Sequence, residues 1–336
     1  MEELQIKNLI ESKIFSEQSS SPVLKETNIS WIILAKKYAY KIKKPLQYSF
    51  LNFSTLEKRK YYCEREVELN KRLAGKVYLK VIPIFINKGN FSFDKGDGKL
   101  IDYAVLMKRM DSTKEMDNLL ERNRVSNNAI KKLAKQIACF HQNAIVMKNK
   151  IQINDLQQKY NDILTVKEFF SSHSDSGFSV TIQEAVEKSN RFLKKNLNYF
   201  KQRLLNGFTR DVHGDLHSGN IFLYKDPIIF DCVEFNDGLR QIDILNEIAF
   251  LCMDLEAFHR YDLSKIFYES YMHHSRMKET TESRLFFNYY KSYRANVRAK
   301  INALTAMKSA DGDLKLKDKN EAEKYLKLLK SYMQEF

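Results

Sequence analysis

The stretch VHGDLHSGNIFLYKDPIIFDCVEFND, residues 212–237, is the most informative part of this 336-residue chain. Asn220 follows Asp215 by five positions, and Asp231 follows Asn220 by eleven, at the end of an apolar run. The runs IFLY and IIF on either side of KDP predict a β-hairpin. Because a hairpin brings its two outer ends together, a loop that carries Asp215 and Asn220 can converge with Asp231.

Three such groups suit phosphoryl transfer, which asks the protein for little covalent chemistry and much positioning of negative charge. One carboxylate must accept or orient the proton of an attacking hydroxyl. An amide oxygen and a second carboxylate can bind Mg²⁺, a hard ion that prefers oxygen ligands. The alternative is a metal cluster of His213, Asp215 and His217 in the pattern H-x-D-x-H, although zinc sites usually need a further ligand.

The residues before this stretch predict a small β-rich lobe. NISWIILA, a turn at Lys36–Lys37 and YAYKIKK together read as a β-hairpin. The next segment, residues 54–73, begins with STLE, a capping box of Ser54 and Glu57, and continues as a helix. YLKVIPIFI, FSFD and LIDYAVLMKR then predict three further strands.

Helical periodicity dominates the rest of the sequence. Residues 127–143 and 182–206 predict helices, and helices return from Asp243 to the end of the sequence. The expected fold class is therefore α+β. We expect a small antiparallel sheet in an N-terminal lobe, residues 1–108, and a larger helical C-terminal lobe, residues 109–336.

HGDLHSGN and IIFDCVEFND resemble the catalytic and metal-binding loops of the aminoglycoside phosphotransferase family, whose relatives include choline kinases and protein kinases. ISW, YAYKIKKP, FSTLEKR and YRANVRAK are similar to an uncharacterised bacterial subgroup of that family. The resemblance spans roughly residues 20–305. It implies a bilobal, protein-kinase-like fold. It also implies a kinase that uses ATP and Mg²⁺ to move the γ-phosphate to a hydroxyl of a small molecule.

For the reaction centre, the resemblance implies that Asp215 is the catalytic base and that Asn220 and Asp231 are Mg²⁺ ligands. His213 would have a structural role. Glu234, three positions after Asp231, could assist the metal or the acceptor, or could lie in a solvated turn.

For the nucleotide, the same logic requires a strand lysine that binds the phosphates and a helix glutamate that pairs with it. Lys41 and Lys43 both qualify, because alternate residues lie on the same face of a strand. Lys41 is preferred, since the apolar alternation before it matches the family better. Glu66 is the expected partner, with Glu64 as second choice, and Met107–Met110 is the expected hinge that meets the adenine.

The loop that covers the phosphates has no clear sequence signal. No glycine precedes Gly75, so the G-x-G-x-x-G motif is missing. Ser19–Ser21 and the turn at residues 27–30 are the two candidates.

Two further pairs of charged residues stand in the C-terminal half. The family carries an acidic residue near Asp243 and Glu247 that braces the catalytic loop, so structural support is the favoured role for this pair. Arg294 and Arg298 are four positions apart, on one helical face. They could neutralise an anionic acceptor, although a surface position is the favoured reading.

The formal net charge of +14 suits a solvated lysine-rich surface, a nucleic acid, an anionic membrane face or a phosphorylated ligand. Nucleic acid is the less favoured partner, because there is no RNP motif, zinc finger or block of five Lys/Arg. No apolar run approaches the roughly 20 residues of a membrane span. The four cysteines lie far apart without a CxxC pair, which favours a reduced, cytoplasmic location. The sequence carries no signal for an oligomeric state.

Two alternative functions stay open at the level of sequence. One is a kinase-fold protein that binds nucleotide without catalysis, and the other is a basic nucleic-acid-binding protein. The intact set of Asp215, Asn220 and Asp231 disfavours the first, because degenerate kinases usually lose one of these residues. A protein acceptor is disfavoured because no DFG or APE segment is present.

Overall fold

The structure is a computed structural model. It describes residues 1–15, 22–48, 50–148, 152–173 and 177–336.

Twelve strands and twelve α-helices lie in these residues. The strands are β1 (Val23–Glu26), β2 (Ser30–Leu34), β3 (Tyr38–Lys43), β4 (Gln47–Tyr48), β5 (Leu51–Asn52), β6 (Tyr78–Asn87), β7 (Asn90–Ser92), β8 (Lys99–Lys108), β9 (Thr209–Asp211), β10 (Ile221–Leu223), β11 (Pro227–Ile229) and β12 (Gln241–Asp243). The helices are α1 (Glu3–Glu11), α2 (Leu56–Ala74), α3 (Met116–Glu121), α4 (Asn127–Asn143), α5 (Ile153–Asn161), α6 (Lys167–His173), α7 (Gly177–Leu205), α8 (Asp237–Arg240), α9 (Ile244–Ala257), α10 (Tyr261–Ser275), α11 (Thr281–Lys308) and α12 (Gly312–Tyr332). Short 3-10 helices span Lys13–Phe15, Ser112–Lys114, Asp162–Val166, Ser218–Asn220 and Met333–Glu335.

The chain divides into two compact units. The first comprises Met1–Leu119 and Gly219–Arg240, and the second comprises Leu120–Ser218 and Gln241–Phe336. The first unit thus takes up the β10–β11 hairpin from the middle of the sequence. The lobe boundaries expected from the sequence stay a prediction.

A six-stranded antiparallel sheet in the order β1-β2-β3-β8-β6-β7 forms the centre of the first unit. The predicted hairpin of β2 and β3 is confirmed, with Ser30 opposite Lys43, and the three further predicted strands are β6, β7 and β8. Strand β1 was not predicted. Its residues VLKE are mostly exposed at the sheet edge, so they lack the alternation that marks a half-buried strand.

Two hydrophobic clusters hold the sheet between helices. Ile6 and Leu9 of α1 pack in a cluster with Ile33 of β2. Cys63 and Val67 of α2 pack in a second cluster with residues of β3, β6 and β8. The alternation of side chains along each strand supplies both apolar faces.

Helix α2 begins differently from the prediction. Thr55 is the N-cap, and its hydroxyl accepts a hydrogen bond from the amide of Lys58 at 3.3 Å. Ser54 instead donates to the side-chain carbonyl of Asn52 at 2.7 Å. The predicted capping box of Ser54 and Glu57 is therefore wrong, because a local partner outside the helix takes up the Ser54 hydroxyl.

The second unit is mainly helical. Helix α4 spans the predicted residues 127–143, and α7 extends the predicted helix at 182–206 towards its N-terminus. Every residue of α9 is buried, and this helix packs against α10 and α11. Strands β9 and β12 pair in a small sheet in which Asp211 is opposite Gln241. None of the helices in the described part of the chain is long and apolar enough to cross a membrane.

Candidate active site

Asn220 and Asp231 flank the β10–β11 hairpin of the first unit. The strands pair with Ile221 opposite Ile229, and the amide of Phe230 donates a hydrogen bond to the carbonyl of Asn220 at 3.1 Å. Both predicted metal ligands therefore stand at the same end of the hairpin. Asn220 is buried, whereas the side chain of Asp231 is 38% exposed.

Asp231 has an unusual backbone conformation. Its φ of +62° lies in the left-handed region that residues other than glycine seldom occupy. Its amide donates to the hydroxyl of Tyr78 at 3.2 Å, and the amide of Cys232 donates to the side chain of Asn70 at 2.9 Å. Such strained positions persist where surrounding contacts stabilise them, and they concentrate at functional sites.

The chemistry of Asn220 and Asp231 fits Mg²⁺. An amide oxygen and a carboxylate are hard donors, and Mg²⁺ usually completes its coordination with water and phosphate oxygens. Within the described ranges, no group of three or more His, Cys, Asp or Glu side chains is arranged to bind a metal ion. His213, Asp215 and His217 therefore do not form the cluster that the sequence left open.

Lys41 joins two of the predicted site residues. Its Nζ lies 2.5 Å from Oδ1 of Asp231, which is 190 residues away in sequence, and 2.8 Å from Oε1 of Glu66. The contact with Glu66 is thus a close ion pair. Lys41, Glu66 and Asp231 thus meet in one cluster. Glu64, the second choice, is exposed on α2 and pairs with Lys60 at 3.8 Å.

Lys43 occupies the buried side of the same cluster. Its Nζ lies 2.7 Å from Oε2 of Glu66 and also forms an ion pair with Glu234. Lys43 and Glu66 are fully buried, and Glu234 is 3% exposed. Each oxygen of Glu66 therefore faces a different lysine, and both candidate lysines belong to one ion-pair network.

The electrostatics of this network keep its charges in place. Burial alone would raise the pKa of Glu66, but Lys41 and Lys43 outweigh it and lower that pKa to about 2. Burial opposes the charge on Lys41, but Asp231 and Glu66 outweigh it and raise its pKa well above the usual value. Lys41, Lys43 and Glu66 thus stabilise one another's charged forms, whereas burial outweighs Lys43 at Glu234 and raises the pKa of that carboxyl above its usual value.

Met107 and Met110 lie at and just beyond the end of β8. Met107 is buried opposite Ala39 of β3. Met110 packs against the same hydrophobic cluster as Ile32 and Leu34 of β2. The predicted hinge residues thus border an apolar part of the first unit. Their role towards adenine stays a prediction.

Of the two candidate phosphate-covering segments, one is described. Residues 27–30 form the turn between β1 and β2, which is closed by a hydrogen bond of 2.9 Å from the amide of Ser30 to the hydroxyl of Thr27. Ser19–Ser21 lies outside the described residues.

In the second unit, two carboxylates of the buried helix α9 bind the backbone of the loop that carries Asp215. Glu247 accepts hydrogen bonds from the amides of His213 at 2.8 Å and of Gly214 at 3.0 Å. Seven positions later on the helix, Asp254 accepts from the amide of Ser218 at 2.8 Å. Both ends of the loop are therefore anchored from one helix.

The side chain of Asp215 is left 43% exposed by this arrangement. Its carboxylate lies 3.4 Å from Nε2 of His217. Removal from water by the surrounding chain raises the pKa of Asp215, but the nearby His217 outweighs that effect and holds this pKa below its usual value. Asp215 is thus an ionised acceptor at neutral pH, which suits a proton-accepting role.

The remaining predicted charged residues of this unit have mainly structural contacts. Asp243 caps α9 through the amide of Leu245 at 2.8 Å and pairs with Arg203. Arg294 donates to Asn246 at 2.7 Å and to the carbonyl of Gly214 at 3.2 Å. It is buried, so the surface position favoured for it from the sequence is wrong. Glu247, one turn after Asp243, is the residue that contacts the Asp215 loop.

The sequence interpretation did not single out Asp254 or the pairing of Lys43 with Glu234. The spacing of Glu247 and Asp254, which puts both carboxylates on one face of α9, is the signal that could have found the first. The second had only a weak signal, because a carboxylate three positions after Asp231 has many possible partners.

Curated relatives of this chain have no assigned function. An uncharacterised protein of Mycobacterium tuberculosis and one of Mycobacterium bovis are each 30% identical to it over 288 residues, which cover 84% of this chain and 54% of theirs. The chain spans about half the length of the curated relatives it matches. No family model matches the sequence.

Solved structures share the architecture at low identity. A choline kinase from Cryptosporidium parvum superposes with a TM-score of 0.55 at 9% identity, covering 94% of this chain and 90% of its own. An amicoumacin kinase in complex with AMP-PNP, Ca²⁺ and Ami gives 0.55 at 11% identity, covering 97% and 96%. An aminoglycoside 2′-phosphotransferase in its GDP complex gives 0.55 at 12% identity, covering 96% and 97%.

At these identities the likeness concerns the fold and not the reaction. It agrees with the antiparallel sheet of the first unit and the helices of the second. The chain therefore has the α+β, protein-kinase-like fold of the aminoglycoside phosphotransferases and choline kinases, as its sequence predicted.

Proposed function

We propose that this protein is an ATP- and Mg²⁺-dependent phosphotransferase that moves the γ-phosphate to a hydroxyl group of a small molecule. The observation that carries the proposal is the cluster of Lys41, Glu66 and Asp231. Lys41 of a strand lies within ion-pair distance of Glu66 on a helix and of Asp231 after a distant hairpin. The resemblance implies Lys41 and Glu66 for the nucleotide and Asp231 for Mg²⁺.

Lys41 is the proposed phosphate-binding lysine. Unlike Lys43, which is fully buried between two carboxylates, Lys41 reaches the partly exposed Asp231. Glu66 fixes the position of Lys41 from the buried side. A lysine at such a site binds phosphate oxygens as a point charge.

Asn220 and Asp231 are the proposed Mg²⁺ ligands, and bound Mg²⁺ would neutralise charge that builds up on the phosphates. Asp215 is the proposed base that accepts or orients the proton of the acceptor hydroxyl. Because its pKa is low, Asp215 would act as a weak base. That is sufficient when positioning and charge neutralisation supply most of the catalysis.

The proposal is tested by thermal unfolding of the wild type and of Asp231→Asn with ATP, with and without Mg²⁺. Ligand at about a hundred times its dissociation constant adds roughly 2.7 kcal/mol of stability. We expect a Mg²⁺-dependent rise in Tm for the wild type that disappears in Asp231→Asn, because the variant lacks the carboxylate that binds the ion.

Asp226→Asn is the matched control, since Asp226 is an exposed residue of the β10–β11 turn. This variant should keep the full Mg²⁺-dependent rise. A well-folded wild type that responds to no nucleotide would contradict the proposal. A response retained in Asp231→Asn would remove Asp231 from the metal site.

A further inference from the structure

We propose that Lys43 and Glu234 form a second ion pair that positions Glu66 and the turn at Asp231. Lys41 can then leave Asp231 and bind nucleotide phosphates while Glu66 keeps its ammonium group in the same position. Lys43, Glu66 and Glu234 are named here the buried clasp. The inference rests on the proposed function and adds positioning residues to it.

The buried clasp connects three separate elements of the first unit. Lys43 is the last residue of β3, Glu66 lies in the middle of α2, and Glu234 follows the β10–β11 hairpin. Lys43 lies 2.7 Å from Glu66 and is ion-paired to Glu234. One ammonium group therefore fixes a strand, a helix and the turn after Asp231 relative to one another.

Burial separates this role from direct contact with a ligand. The side chains of Lys43 and Glu66 are 0% exposed and that of Glu234 is 3% exposed, whereas that of Asp231 is 38% exposed. The ammonium of Lys43 also lies 4.8 Å from the centre of the Phe53 ring. Lys43 and Glu234 are therefore positioning residues, Asp231 is the exposed member of the network, and Lys41, with 7% of its side chain exposed, connects the two.

The geometry of Glu66 explains why two lysines are needed. Lys41 contacts both Glu66 and Asp231 in this structure. If Asp231 binds Mg²⁺ and Lys41 binds phosphate, the ion pair between them must open when Mg·ATP enters. Glu66 would then have to keep Lys41 in position alone. Lys43 binds the second oxygen of Glu66 before and after this ion pair opens. The Glu66 carboxylate therefore does not move with Lys41 towards the ligand.

Glu234 applies the same constraint to the turn. It follows Asp231 by three positions, and its ion pair with Lys43 is shielded from water. The guanidinium of Arg240 donates to the carbonyl of Val233 at 2.8 Å and supports the same segment. Asp231 can therefore release Lys41 while its backbone stays in place.

The test uses the full chain and a clasp variant, Lys43→Met/Glu234→Gln, which removes both charges together. Removing one member of a buried ion pair leaves an uncompensated charge, whereas removing both is often tolerated. Affinity for Mg·AMP-PNP is measured by calorimetry at a temperature well below the Tm of each protein. We expect the clasp variant to bind about tenfold more weakly, which corresponds to one charged hydrogen bond.

A double-mutant cycle with Lys41→Met supplies the readout that a purely structural role would not change. Because the clasp positions both Lys41 and the Asp231 turn, its loss should weaken affinity clearly less once Lys41 is absent, leaving only the part that acts through Asp231. Additive losses would overturn the inference. If the clasp variant does not fold, Glu234→Gln takes its place, with a smaller loss of the same kind expected.

Arg59→Met is the matched control, because Arg59 pairs with Asp102 at 2.8 Å in another buried ion-pair cluster of the first unit, and Asp102 keeps the ammonium of Met1 as its second partner. This variant should bind Mg·AMP-PNP like the wild type. Wild-type affinity in the clasp variant, or an equal loss in the control, would overturn the positioning role alone. A wild type that binds no Mg·AMP-PNP would overturn the proposed function and the clasp with it.

Discussion

The cluster around Lys41 in the first unit and the Asp215 loop in the second hold functional residues in two different ways. Around Lys41, charged side chains hold one another directly, with Lys41 between Glu66 and Asp231. In the Asp215 loop, the carboxylates of α9 bind the loop's backbone amides and leave the functional side chain to face other groups. The first arrangement joins the functional charges to one another, whereas the second holds the backbone and leaves the charge of the functional side chain out of the contact.

This difference indicates where ligand-driven change is expected. An ion pair between two groups that both bind ligand must be replaced when the ligand arrives. A loop fixed through its backbone can accept or release a proton on its side chain without rearrangement, which is the preorganised state that catalysis favours. Substitutions in the two regions should therefore change different measurable quantities.

The largest effect is expected for Asp215→Asn. A positioned general base contributes about 10²–10⁴-fold in rate, and the amide cannot accept the proton. Because the loop is fixed by its backbone, affinity for Mg·ATP should stay close to that of the wild type. The measurements are acceptor-dependent ATP consumption and nucleotide affinity on the same samples. Full activity in Asp215→Asn would exclude the mechanism, and a parallel loss of nucleotide affinity would break the contrast between the two regions.

A smaller effect is expected for Glu247→Gln. The substitution replaces one of two acceptor oxygens by an amide that faces the backbone donors of His213 and Gly214. Leaving a buried donor without an acceptor costs about 1–3 kcal/mol. Unfolding in denaturant should show that loss, and turnover should fall while Mg·ATP affinity is kept.

Asp243→Asn is the comparison for Glu247→Gln. Asp243 lies one turn earlier, caps α9 and pairs with Arg203. It should lose stability but keep turnover at temperatures where the protein is folded. If both variants lost turnover equally, the backbone contacts of Glu247 would have no special part in positioning Asp215.

The sequence could predict the parts of this molecule that depend on local pattern. Alternation predicted β2 and β3, and helical periodicity predicted the bounds of α4. The apolar runs on either side of KDP predicted the hairpin whose ends carry Asn220 and Asp231. These features are encoded by neighbours in sequence, so they need no knowledge of tertiary contacts.

Tertiary partnership was harder to predict. Lys41 and Lys43 are equivalent in strand pattern, and only the fold shows that each faces a different oxygen of Glu66. Asp254 belongs to a helix that is buried on all sides, and its contact with the Asp215 loop could be expected only from its spacing to Glu247 and not from any surface pattern. The edge strand β1 is mostly exposed and therefore carries no periodic signal. The roles of the site residues in catalysis stay predictions that the variants above test.

The smallest effect is a pH dependence that arises from a buried group without a counter-charge. His141 on α4 is buried with its Nδ1 2.8 Å from the hydroxyl of Tyr271. Burial first, and then the charge of Arg210, lower the pKa of His141 from 6.5 to about 3. Below about pH 6.5 the His141 imidazole binds a proton in the unfolded chain but stays neutral in the folded protein. Stability from this residue is thus complete above that pH and falls by about 1.4 kcal/mol per pH unit on acidification.

His141→Asn should remove this component from unfolding curves measured between about pH 7.5 and about pH 5, whereas the exposed His273→Asn should not. An unchanged slope in His141→Asn would show that this imidazole is charged or solvated in the folded protein. In the Lys41 cluster each buried charge lies beside an opposite charge, and that pattern would then not extend to the second unit.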